Sequence, residues 1–207
     1  MLNYFSTALN RFWKDTSASA TVELVVVIPL MLAWYAASIT FYDAVRDRNQ
    51  GIKAANMIGD ILSRRTDAAT PIYLDSLETL FADLAGDRGV TGLRVSQIQW
   101  DGTKHIIDWS YSTETVAFPK LTEAEMTMTW FTDQVPTMFS GEFVLIVESF
   151  SAYTPLFNVG LKKEGNLYKN FIVTSPRFAA RLAWDDPNDP DPGGNGDGEE
   201  GGATAGG

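Results

Sequence analysis

The spacing of apolar and polar residues along this chain changes twice, and each change marks a different kind of element. Residues 18–42, ASATVELVVVIPLMLAWYAASITFY, are apolar or small with a few hydroxyls and carry one charge, Glu23. A bilayer core is crossed by about 20 apolar residues in a helix, so this stretch predicts one transmembrane helix. Trp34, Tyr35 and Tyr42 fall where amphipathic rings are favoured at an interface. Past Tyr42, the residues Val45, Ile52, Ala55, Ile58 and Leu62 recur near helical spacing among Asp43, Arg46, Asp47, Arg48 and Lys53. A single helix over about 20–64 is therefore predicted, with an amphipathic second half that must be buried on a globular domain or a partner helix. Gly51 and Gly59 count against its continuity.

A second helix is bounded by Thr70 as cap, Pro71 in the first turn and Gly86 at the end, with Leu77, Leu80, Phe81 and Leu84 as its apolar face. From Leu93 the period shortens to two. LRVSQIQW, then Asp101-Gly102, then KHIIDWSY predicts a β-hairpin, because Asp-Gly tolerates the positive φ angles of a tight turn. Alternation puts Ile98 and Trp100 on one face, apart from Val95, and gathers Ile107, Trp109 and Tyr111 on one face of the second strand. Residues 123–131 form a candidate short helix, and Pro136 ends what precedes it. Residues 142–153, EFVLIVESFSAY, set Phe143, Leu145 and Val147 opposite Val144, Ile146 and Phe150, so a central strand is predicted there. Residues 166–174, NLYKNFIVT, predict one more strand.

Charge narrows the function. The 207 residues hold 16 bases and 26 acids, a net charge of −10. Seven of the acids and no base lie in residues 185–207, which leaves 19 acids against 16 bases elsewhere. A near-neutral body with an acidic tail is the wrong footprint for nucleic acid, whose phosphates need a basic surface. The tail has eight glycines, three prolines and no large apolar residue after Trp184. It cannot offset chain entropy by burial and is expected to be disordered. Its GGNGDG is one residue off the spacing of a calcium-binding glycine-rich repeat and occurs once, so a solvated acidic tail is expected.

Candidate chemistry is sparse. There is no cysteine, which excludes disulfides, thiol catalysis and cysteine-ligated metals. The one histidine, His105, stands in a predicted strand with no serine or cysteine motif beside it. Glu142 and Glu148 share a strand face by alternation, as polar strand faces commonly do. Trp100, Trp109, Trp130 and Phe150 are expected in the core rather than in a groove. No phosphate-binding glycine loop is present. The expectation is a protein that is not an enzyme, with no catalytic residue, no metal and no cofactor.

What remains is the N-terminal segment. A secretory signal peptide is one reading, with Arg11 and Lys14 as its basic region, residues 24–35 as its core and Ala36-Ala37-Ser38 as its cleavage site. The apolar run continues past that site, Pro29 interrupts the core, and Glu23 puts a carboxylate where signal peptides carry none. A charge within lipid costs on the order of 2.5–3.5 kcal/mol on insertion scales. Glu23 either snorkels to the headgroups, helped by the positive end of the helix dipole, or needs a cation inside the membrane. A cut between Ala18 and Ser19 supplies one: the new amine lies four residues before Glu23 and can pair with a neighbouring subunit's carboxylate.

These residues resemble a family. SASATVELVVVIPLMLAWY, with Ser19-Ala20-Thr21-Val22 before Glu23 and Pro29 early in the apolar run, is similar to the N-terminus of TadE/TadG-like proteins, the pseudopilins of the bacterial tight-adherence (Flp-type) pilus system. GEFVLIVE, the later YTPLF and TSPR resemble the second half of such domains, so the likeness covers about residues 11–182. This chain departs from the pattern at Ala18, where the prepilin peptidase prefers Gly, and at Leu24, where Tyr or Phe usually follows the acid.

The resemblance implies a minor pseudopilin of a single-pass inner-membrane type, its C-terminal domain periplasmic, present in a surface pilus or in its assembly. Its partners would be other pseudopilins and pilus subunits, and the prepilin peptidase would cut between Ala18 and Ser19. Glu23 would fix axial register, and Pro29 would kink the helix. The expected fold class is α+β: a long transmembrane-plus-amphipathic helix packed on a small, mainly antiparallel β-sheet domain with one further helix. The expected divisions are a basic leader at 1–18, a membrane helix at 19–42, an exported domain at 43–184 and the tail at 185–207. A reading of a different class is a membrane-anchored or secreted ligand-binding domain unrelated to pili.

Overall fold

A computed structural model describes residues 19–86, 89–116, 118–153, 155, 157 and 167–188, without the side chains of 19–21 and 167. The predicted leader and tail residues 189–207 lie outside the described residues. The chain divides into two compact units, one built on residues up to Val45 and the other beginning at Arg46.

The helix α1 (Ser19–Ser63) is continuous over 45 residues and runs through Pro29. Its residues 22–35 are exposed on every side. No residue between Glu23 and Asp43 is charged, and these nineteen positions, rising about 1.5 Å each, cover about 28 Å, close to the ~30 Å of a bilayer core. Among the described residues this is the one helix long and apolar enough to cross a membrane, with a mean hydropathy of 2.1 in its apolar window.

Within the second unit, α1 turns a stripe of Asp47, Gly51, Ala54, Ala55, Ile58 and Leu62 inward. The stripe is rotated from the one expected: Val45 is exposed and Ile52 only half-buried. The two glycines do not break the helix, because they fall where it crosses the sheet closely. A β-carbon on Gly51 would stand 3.6 Å from Asn170 Nδ2, and one on Gly59 would stand 3.3 Å from Ile172 Cγ2.

The helix α2 (Pro71–Ala85) has the predicted ends. The Thr70 hydroxyl accepts from the Tyr73 N–H, and Gly86 takes the left-handed conformation at φ 103° and donates to the Ala82 carbonyl. Its buried face is Leu74, Leu77, Phe81 and Ala85, turned slightly so that Leu84 stays on the rim.

Four antiparallel strands follow: β1 (Thr91–Trp100), β2 (His105–Ser112), β3 (Phe143–Ala152) and β4 (Leu167–Thr174), in the order β2-β1-β3-β4. The hairpin joins β1 to β2 through residues 101–104, with Gly102 at φ 104° and Asp101 Oδ1 accepting from the Thr103 and Lys104 N–H groups. β3 is central, as its apolar faces predicted. Between β2 and β3 the chain crosses the sheet with two single-turn helices, α3 (Glu123–Met126) and α4 (Thr129–Thr132).

The sheet has two covered faces. On the first, α1 and α2 bury Leu93, Val95, Trp109, Leu145 and Val147 together with Leu182. On the second, the crossover buries Ile98, Ile107, Val144 and Ile146 under Leu121, Met126, Phe131 and Met138. The predicted grouping of Ile107 with Trp109 and Tyr111 is corrected here. Gln97 pairs with Trp109 while Ile98 pairs with Ile107, so Asp108 is an extra residue in a β-bulge. The bulge sends Ile107 to the second face and leaves Trp109 and Tyr111 on the first.

Candidate functional site

Of the residues singled out from the sequence, Ala18 lies outside the described residues and Ser19 is the first residue of α1. Glu23 is exposed, and among the described residues nothing hydrogen-bonds or ion-pairs with it. Glu142 and Glu148 are not a pair. A turn with Gly141 at φ 84° takes Glu142 off the strand, where its carboxylate accepts from the Phe139 N–H at 2.8 Å. Trp109 and Phe150 are core residues, and Trp100 packs against the core, as expected. Trp130 is not: it is 40% exposed and lines a cleft.

That cleft is on the second face of the sheet and holds about 370 Å³. Register builds its floor. Arg94 of β1 stands directly opposite Glu148 of β3, and Glu148 stands opposite Phe171 of β4. Arg94 is 1% exposed. Its Nε and Nη2 donate to the two Glu148 oxygens at 2.6 and 2.9 Å, a bidentate pair. Its Nη1 donates to the Pro119 carbonyl at 2.9 Å and to Glu125 Oε2 at 3.1 Å. The Phe118 ring lies 4.4 Å from the guanidinium carbon.

Each partner is itself held. Glu125 closes a capping box with Thr122 at the start of α3. Ser112 Oγ, on β2 beside Arg94, donates to the Phe118 carbonyl and fixes that loop. The Phe118 ring meets Phe150 edge-on at 5.4 Å. Burial pushes the Glu148 carboxyl above its ordinary range, against the opposing pull of Arg94.

Above this floor the walls are Phe118, Trp130 and Phe171, with Gln134 and Lys169 at the rim. Trp130 meets Phe131 and Phe171 edge-on at 5.7 and 6.1 Å. Two bases, Arg94 and Lys169, face two acids, Glu125 and Glu148, so the cleft is electrically balanced. A cleft joining aromatic walls, convergent polar groups and a shifted carboxyl has the composition of a small-molecule site.

A second cavity of about 460 Å³ is lined by Trp100, Lys104, His105, Glu123 and Met126 among others. His105 packs its ring 4.6 Å from Trp100, and burial lowers its pKa while Asp101 opposes the shift. Its Nδ1 is buried without a hydrogen-bond partner among the described residues. The ring packs at a tilt on Trp100 and edge-on to Phe131 at 6.5 Å. No group of three or more acids or histidines suited to a metal occurs among the described residues.

Sequence reasoning missed Arg94 altogether. The signal was there as a lone base inside LRVSQIQW and a lone acid inside LIVESF. No family model, no curated protein and no solved structure matches this chain.

Proposed function

We propose that this chain is a minor pseudopilin of the TadE/TadG-like kind, an assembly subunit of a tight-adherence pilus. The first half of α1 would lie in the bacterial inner membrane and pack laterally on the helices of other pseudopilins and pilus subunits. The second unit would stand on the periplasmic side and choose the partners. The observation that carries this reading is Glu23: one acid, exposed and unpaired among the described residues, in a helical stretch that is otherwise apolar on all sides. In lipid such a group costs on the order of 2.5–3.5 kcal/mol unless a cation meets it. The amine of a neighbour cut between Ala18 and Ser19 would be that cation, and only a correctly staggered neighbour would supply it.

Two measurements test the reading. The intact mass of the mature protein is expected to begin at Ser19; a start at Ile39 means ordinary secretion, and Met1 an unprocessed anchor, and either result ends the processing claim. Glu23→Ala is expected to leave the fold intact and to cut recovery of partner pseudopilins by pulldown about tenfold or more, as a lost buried charge pair does. Unchanged recovery removes the register role. The aromatic-walled cleft favours a second reading, a membrane-anchored ligand-binding domain, in which Glu23→Ala changes nothing and the cleft carries the activity.

A further inference from the structure

The geometry points to the cleft on the second face as a binding site for a neutral saccharide. Its first qualification is charge. Arg94 and Lys169 balance Glu125 and Glu148, so an anionic ligand meets two carboxylates and a cationic one meets two bases. A ligand with hydroxyls and no charge meets neither repulsion, and finds donors and acceptors side by side.

The second qualification is the division of labour among the polar groups. Four of the five N–H donors of Arg94 are already engaged by Glu148, Glu125 and the Pro119 carbonyl. Arg94 is therefore a positioning residue that fixes the two carboxylates. The groups left to read a ligand are at the rim. Gln134 spends its Nε2 on the Trp130 carbonyl at 2.9 Å, which holds its side chain still and leaves its carbonyl oxygen to accept. The Lys169 ammonium sits 5.6 Å from the Phe118 ring, and its charge also acts on Glu148. Glu125 keeps one oxygen with only a long 3.5 Å contact to Arg94.

The third qualification is the wall. Trp130 is a large ring left 40% exposed beside these groups. A sugar ring presents a face of C–H bonds and a rim of hydroxyls, so it can lie on an aromatic surface while its edges bond to Gln134, Glu125 and Lys169. A cavity of about 370 Å³ takes one or two such rings. The inference is independent of the assembly role: a pilus subunit and a free-standing anchored domain could both carry the site.

The test uses the full chain in lipid nanodiscs, since glycoside detergents would fill the cleft with their own headgroups. Saturation-transfer NMR and tryptophan fluorescence are recorded with glucose, mannose, N-acetylglucosamine and its β-1,4 dimer up to about 50 mM, the range in which millimolar affinities show. Saturable binding of at least one sugar is expected, weakened about tenfold by Trp130→Ala and several-fold by Gln134→Ala and by Lys169→Met. The last two side chains are exposed at the rim, so those variants keep the fold even if Trp130→Ala does not. No saturable signal from any of the four sugars overturns the proposal. So does binding that survives both Gln134→Ala and Lys169→Met unchanged. Co-assembly with partner subunits is read separately and does not bear on either outcome.

Discussion

The two faces of the sheet are covered by opposite means. The first face is closed by α1 and α2, two helices long enough to lay a full apolar stripe, and its core is a run of aliphatic and aromatic side chains. Two of its buried polar side chains are tied to one returning segment: the Gln97 side-chain carbonyl accepts from the Leu182 N–H at 2.8 Å, and the Trp109 indole donates to the Leu182 carbonyl at 2.9 Å. The second face is closed by a crossover whose helices are four residues each. A single turn cannot carry a helical stripe, so half of that cover is fastened by directional bonds to Arg94 instead. Where long elements are available, burial alone suffices; where they are not, a buried cation gathers loop carbonyl, capping carboxylate and strand carboxylate onto one point.

This contrast breaks most sharply at Arg94. Arg94→Ala leaves Glu148 buried without its bidentate guanidinium partner and releases Glu125 and the Pro119 loop, so a loss of about 3–5 kcal/mol is expected in urea unfolding of the full chain followed by circular dichroism. Replacing both partners, Arg94→Met with Glu148→Leu, should recover most of that loss, because neither buried charge remains. The exposed pair Arg64–Asp60 at 3.0 Å is the control, and its removal should cost less than about 1 kcal/mol. If Arg94→Ala matched that control, the second face would be held by its apolar half alone.

The same contrast explains what could be read from the chain. Long elements announce themselves by period: the extent of α1, α2 with its Thr70 and Gly86 ends, and the central place of β3 follow from spacing and caps, while the continuity of α1 through Gly51 and Gly59 does not. The bulge at Asp108 was silent, since an extra strand residue leaves the sequence alternating and changes only which partner each residue meets. The Arg94 cluster was silent for a related reason. Its members come from β1, the crossover and β3, and they meet only once the register sets residue 94 opposite residue 148. Trp130 was expected in a core because aromatic residues usually are, yet the single turn of α4 points Phe131 into the core and leaves its neighbour Trp130 lining the cleft.

A smaller effect sharpens the comparison at the edge of the first face. Tyr111 packs on Trp184 at 5.4 Å and donates its hydroxyl to Asp75 of α2 at 2.9 Å. Burial first, then that bond, raises its pKa from 10.0 to about 12. Between these values the unfolded chain releases a proton that the native state keeps, so the unfolded state binds fewer protons and stability falls as pH rises across the window. Absorbance titration should show one tyrosine ionising near 12, lost in Tyr111→Phe, and the variant's stability should fall less steeply over the same range. A tyrosine spectrum with every phenol titrating near its ordinary value would mean that α2 does not close over β2 as described.

The smallest effect asks how tightly α1 sits on the first face. A glycine inside a helix costs about 1 kcal/mol relative to alanine through the freedom it loses on folding. At Gly51 a new methyl meets Asn170 Nδ2 at 3.6 Å and Ser151 Oγ at 3.7 Å, ordinary contact distances, so Gly51→Ala should stabilise the fold by up to about 1 kcal/mol. At Gly59 the methyl meets Ile172 Cγ2 at 3.3 Å, which requires the neighbour to give, so the gain in helix propensity is largely cancelled and Gly59→Ala should lie near zero. Both variants are read as shifts in the urea midpoint of the full chain. A stabilising Gly51→Ala beside a neutral Gly59→Ala means that the helix touches β4 hardest one turn before its end. The reverse order would mean that it approaches the sheet most closely near Ser151, and that the tilt of α1 over the first face differs from the one described.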